Sequence, residues 1–88
     1  DVRGDHAHKK CTQLLVCISG QIRVGCDDGS VVTQYLLDNM SMGLLVPPGI
    51  WASVEYLESP SVLMVLCDRG YEVDDYMRDY NDFKNFLA

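Results

Sequence analysis

Apolar and polar positions along the chain fall into short runs separated by turn residues. Leu14 to Ile18 is apolar and stops at Ser19-Gly20. Gln21 to Cys26 alternates, with Ile22, Val24 and Cys26 on one face and Gln21, Arg23 and Gly25 on the other. A period of two marks a half-buried strand. Asp27-Asp28-Gly29-Ser30 predicts a hairpin turn, because Asp-Gly supplies the positive φ that tight hairpins need. Val31 to Leu37 is rich in strand formers, and Asp38-Asn39 breaks it. Gly43 to Val46 ends at Pro47-Pro48-Gly49, Trp51 to Leu57 alternates again, and Val62 to Cys67 is continuously apolar after the turn at Glu58-Ser59-Pro60. Six short strands over about residues 11–67 predict an all-β antiparallel sandwich or barrel. The tail differs. Tyr76, Met77, Tyr80, Phe83, Phe86 and Leu87 recur at helical spacing, which predicts a C-terminal α-helix over about 74–87. Asp74 and Asp75 suit its N-terminus, and the aromatic stripe suits packing onto the strands.

Composition narrows the possibilities. A chain of 88 residues allows one domain, residues 1–88, whose small core leaves stability marginal unless a partner helps. The net charge of -6 argues against nucleic acid, whose phosphates need clustered Lys and Arg. No apolar run reaches the length of a membrane helix, and the N-terminus has no signal-like apolar region, so the expected location is the cytoplasm. The four cysteines, Cys11, Cys17, Cys26 and Cys67, include no C-x-x-C pair. Reduced thiols are expected, with Cys17 and Cys67 as small buried hydrophobes inside their runs.

Chemistry concentrates in Gly4-Asp5-His6-Ala7-His8, which holds both histidines of the chain. In an extended segment, residues two apart share a face, so His6 and His8 project together. A lone His-x-His often marks only a solvated strand. Here, four residues separate His8 from Gln13, and six separate Gln13 from Gly20. This spacing resembles the first motif of the cupin barrels, H-x-H-x4-E-x6-G, with Gln in the acidic position. Pro47-Pro48-Gly49 resembles the turn of the second motif, but the histidine expected three residues after its Gly is replaced by Ala52. Two imidazoles and a neutral amide bind a divalent metal poorly, so no metal and no cofactor are expected. Two adjacent imidazoles suit proton transfer instead, since His titrates near neutrality.

A closer resemblance covers nearly the whole chain. Arg3-Gly4-Asp5-His6-Ala7-His8-Lys9-Lys10, Arg23-Val24, Asp27-Asp28-Gly29, Val46-Pro47-Pro48, Trp51 and the tail Asp74-Asp75-Tyr76-Met77-Arg78-Asp79-Tyr80 resemble the sugar-nucleotide 3,4-ketoisomerases of the cupin superfamily. That resemblance implies a cupin-type antiparallel barrel, or jelly roll, with a C-terminal helix. It implies a metal-independent isomerase that moves the keto group of dTDP-4-keto-6-deoxyglucose from C4 to C3 through an enediol. By the same resemblance His6 takes the C3 proton and His8 is the shuttle or acid beside it. Arg3 and Arg23 are candidates for the diphosphate, Gln13 for a place in the pocket, and Trp51 for stacking on base or sugar. Members of the family carry further strands before the Arg3 run. A barrel without them exposes sheet edges, which implies a homodimer, with strands exchanged between copies. Competing readings are a non-catalytic sugar-nucleotide-binding barrel, an interaction domain, and an epimerase acting on a related dTDP-keto sugar.

Overall fold

A computed structural model describes the backbone of residues 2–88 and the side chains of residues 5–88. Eight strands, one 3-10 turn and one helix follow in order. They are β1 (Val2–His8), β2 (Gln13–Ser19), β3 (Ile22–Asp27), β4 (Val32–Leu37), β5 (Gly43–Val46), β6 (Trp51–Tyr56), β7 (Val62–Cys67), the turn Val73–Asp75, β8 (Tyr76–Met77) and α1 (Tyr80–Leu87). The strands form two antiparallel sheets. One has the order β4-β3-β6-β1-β8 and the other β5-β2-β7.

Alternation decides what each strand buries. Ile22 and Val24 are fully inside, and Leu15, Cys17, Leu37, Val46, Ala52 and Val54 complete the core between the sheets. This is the all-β antiparallel architecture that the pattern predicts, with the C-terminal helix that the resemblance implies. Two segments depart from it. The His-x-His segment is a full strand, β1, seated between β6 and β8. The helix begins at Tyr80, not near Asp74. Its cap is Asp79, whose side chain accepts from the Asn81 amide, so Asp74 and Asp75 are not helix caps. Tyr76 and Met77 instead pair with His8 and Ala7 as a short strand. Phe83 anchors α1 in a second cluster with Ala7 and Met77, against which Trp51 packs.

All four cysteines are free thiols. Cys17 is buried as expected, but Cys67 is exposed, because β7 lies at the edge of the three-stranded sheet. Gly20 closes β2 with φ +84°, and a Cβ there would stand 2.8 Å from the Pro60 carbonyl oxygen. Gly20→Ala is therefore expected to cost about 1–3 kcal/mol, through left-handed strain and that close approach. Urea unfolding checks this, and an unchanged midpoint would contradict it.

Candidate active site

The site is built on one face of β1. His6 and His8 lie on the same side of the strand, with ring centroids 5.0 Å apart and planes nearly perpendicular. The intervening Ala7 points the other way, into the Phe83 cluster. The expectation that the two imidazoles project together is met, and both turn into the fold. Tyr76 lies across them, its ring centroid 4.3 Å from His8 and 5.4 Å from His6.

The two rings have different surroundings. His6 lines a cavity of about 140 Å³ with Gln13, Leu15, Ala52, Val54, Tyr56, Leu63 and Val65. Enclosed ligand sites usually measure ~300–1,000 Å³. This one falls below that range. His8 is 6% exposed and does not line the cavity. Its Nδ1 lies 2.8 Å from Asp75 Oδ2. The backbone around it is tied on both sides: Gly49 N–H donates to the His8 carbonyl, and Lys9 N–H donates to the Asp75 carbonyl. The Pro-Pro-Gly turn thus braces the strand that carries the histidines.

Asp75 is buried and collects three donors: His8 Nδ1, the Lys10 amide at 2.7 Å and the Cys11 amide at 3.2 Å. Burial alone would push its carboxyl up, but the hydrogen bonds from His8, Lys10 and Cys11 outweigh it and hold the group below the ordinary carboxylate value. Burial also pushes the Cys11 thiol up, with Cys67 adding to the effect. A protonated thiol is the expected neighbour. No sequence signal singled out Asp75 as a site residue, since its partner is 67 positions away and acidic residues before a helix read as caps.

The remaining candidates divide. Gln13 is buried and lines the cavity, its Nε2 donating to Cys67 Sγ at 3.6 Å. Arg23 does not reach the cavity. Its neighbours Ile22 and Val24 point inward, so Arg23 points outward, half exposed, and pairs with Glu55 at 3.5 Å. Trp51 is half-buried against Phe83 and Tyr80, with ring centroids at 5.7 and 5.2 Å, and it does not line the cavity either. Arg3 sits on β1 opposite Val54, but its side chain lies outside the described residues.

A metal of the kind cupin barrels hold does not fit these residues. Ala52 stands directly opposite His6 in the β1–β6 register, so the missing third imidazole is a methyl group inside the site. Gln13 offers a neutral amide already turned to Cys67. His8, Cys11 and Asp75 do bring one ligand atom each within 4.8 Å of one another. Both Asp75 oxygens there already accept hydrogen bonds, and the thiol is held protonated.

Comparisons with known proteins identify the family and the fold. The family model described as FdtA: WxcM-like, C-terminal matches residues 1–88. A TDP-4-oxo-6-deoxy-alpha-D-glucose-3,4-oxoisomerase of Aneurinibacillus thermoaerophilus is 43% identical over 86 residues, which cover 98% of this chain and 62% of that protein. The crystal structure of QdtA, a sugar 3,4-ketoisomerase of Thermoanaerobacterium thermosaccharolyticum in complex with TDP, superposes with a TM-score of 0.93 at 29% identity, covering 97% of this chain and 62% of that one. A 3,4-ketoisomerase of Helicobacter canadensis gives 0.95 at 28% identity, covering 99% and 65%. The chain thus spans less than two thirds of the length of these relatives. With its whole length matched and its fold shared, it belongs to the FdtA family of cupin-type proteins.

Proposed function

We propose that this chain carries the histidine machinery of a metal-independent 3,4-ketoisomerase acting on a dTDP-4-keto-6-deoxyhexose in deoxysugar biosynthesis. The observation that carries the reading is the pairing of a cavity-facing His6 with a buried His8 fixed against Asp75. The reaction needs a proton removed at C3, a proton delivered at C4, and the hydroxyl proton of O3 transferred to O4. His6 takes the C3 proton, and the electron pair forms the C3=C4 bond of an enediolate with its charge on O4. His6 returns a proton to C4 as the O3 hydroxyl loses its own and becomes the carbonyl. His8, edge-on to His6, is the shuttle that takes up and returns protons beside it. No oxidant is required, because the substrate's own carbonyl acidifies the neighbouring C–H. The 29% and 43% identical relatives named for this activity support the substrate class.

Of the expected substrate contacts, Gln13 keeps its place in the cavity wall and Arg3 its place on the same strand as the histidines. Incubation with dTDP-4-keto-6-deoxyglucose in deuterated water, followed by NMR, tests the reading. Deuterium at the carbon that receives the proton, together with a carbonyl at C3, is the expected outcome, and added chelator leaves the rate unchanged. Binding of dTDP with no exchange selects the non-catalytic barrel. Exchange with inversion and an unmoved carbonyl selects the epimerase.

The chain works as a homodimer in this reading, and in the cytoplasm; among the described residues no helix is long and apolar enough to cross a membrane. The outer face of the three-stranded sheet carries Leu14, Val16, Ile18, Leu45, Val62, Met64 and Leu66, with no charge among them. In a chain of net charge -6, that is where a second copy can seat without opposing like charges. Strands of seven, four and six residues, at ~3.4 Å per residue and ~4.8 Å spacing, offer roughly 300 Å² of sheet. A standard interface needs ~800 Å² per partner, so pairing along the open edge of β7 supplies the rest. Sedimentation should give a dimer, and Met64→Lys with Leu66→Lys should give monomer. A monomeric parent chain at all concentrations would sink this.

A further inference from the structure

The scheme above gives Asp75 no task, yet three donors converge on its buried carboxylate. We propose that Asp75 is a positioning residue that holds His8 in its Nδ1–H tautomer and so leaves Nε2 as the proton acceptor beside His6. This rests on the ketoisomerase reading for its consequence, but not for its geometry. An ionised carboxylate can only accept, so the 2.8 Å contact requires the proton on Nδ1. His8 Nε2 is buried and has no hydrogen-bond partner among the described residues. The ring has no alternative pose of equal standing: a flip would break the bond to Asp75, and the Tyr76 and His6 rings close the space around it. A lone pair kept idle in an apolar setting is costly unless it is used.

The substitution that separates positioning from architecture is Asp75→Asn. The amide is nearly isosteric, but one of its two ends is a donor. Either pose sets its NH₂ against one backbone amide; with the oxygen opposite Lys10 at 2.7 Å, that is the more distant Cys11 amide at 3.2 Å, so this pose is favoured. The NH₂ group then faces His8 and donates to Nδ1, which moves the ring proton to Nε2. The acceptor becomes a donor, as in the corresponding Asp-to-Asn change of the serine-protease triad.

Two histidines make the test direct. The protein is labelled with ¹⁵N in histidine and examined at about pH 8.5, where imidazole is ordinarily neutral; the spectrum of His6→Asn assigns the His8 signals. The expected result is a pyrrole-type Nδ1 and a pyridine-type Nε2 in the parent protein, exchanged in Asp75→Asn. Turnover should fall about 10²–10⁴-fold in kcat with little change in KM. A parent spectrum with the proton on Nε2 overturns the proposal whether or not the variant folds. So does a folded variant that keeps Nδ1–H, or one that reverses the tautomer at full kcat. If the parent protein fails to isomerise the keto sugar while its spectrum shows Nδ1–H, the ketoisomerase reading has failed and the tautomer assignment stands.

Discussion

His6→Asn is expected to lower isomerisation at least about 10³-fold and to leave the fold intact. Asn fills nearly the same space but cannot accept a proton at neutral pH. His6 is the one imidazole on the cavity wall, and the other lining residues are Gln13, Tyr56 and five aliphatic side chains, none of which is a base at that pH. Among the described residues, no other side chain on the cavity wall can take over the proton at C3. The backbone pairing of β1 to β6 does not depend on the ring, so circular dichroism and the thermal midpoint should be nearly unchanged. Deuterium incorporation from solvent at the parent rate would remove His6 from the chemistry.

Asp75→Ala should cost about 3–5 kcal/mol. It strands two buried donors, His8 Nδ1–H and the Cys11 amide, each worth about 1–3 kcal/mol when left unmade, and the partly buried Lys10 amide, which water can reach in part. For a small domain that is a large share of total stability. Urea titration measures it, and a loss under about 1 kcal/mol would mean that water replaces the carboxylate freely. The same group has a pH signature. Its carboxyl is held below the ordinary 3.8 in the fold, so the unfolded chain takes up the proton first as pH falls. Its contribution is whole above that ordinary value and drains away as pH drops through the lowered one. The parent protein should therefore lose stability on acidification below about pH 4, and Asp75→Ala should lose less over that interval.

Much of the barrel was readable because β3 alternates between inward Ile22 and Val24 and outward Arg23, because the apolar runs of β2 and β7 stop at turn residues, and because Gly20, Gly29 and Gly49 all take the positive φ that their turns demand. The paired histidines were readable for the same reason: two residues apart on a strand is one face. The tail misled. Tyr76 and Met77 fit the helical spacing of Tyr80 and Phe83 by coincidence, and a two-residue strand has no periodicity of its own to oppose it. Asp75 was hidden by distance, since local preference says nothing of a contact that only the closed fold makes. Arg23 and Trp51 show the complementary failure. Residue type suggested phosphate and stacking, but strand phase and packing turned them toward Glu55 and Phe83.

The strand that bears the imidazoles is held from behind by Ala7, wedged with Met77 against Phe83 of α1. Eight residues of helix have little intrinsic persistence, so α1 depends on its buried Phe83 and on the bonds of Tyr80 to Asp27 and of Lys84 to the Gly29 carbonyl. On warming, loosening of α1 should blunt the proposed activity some degrees before the sheets melt, so an activity assay would act as a thermometer for that helix.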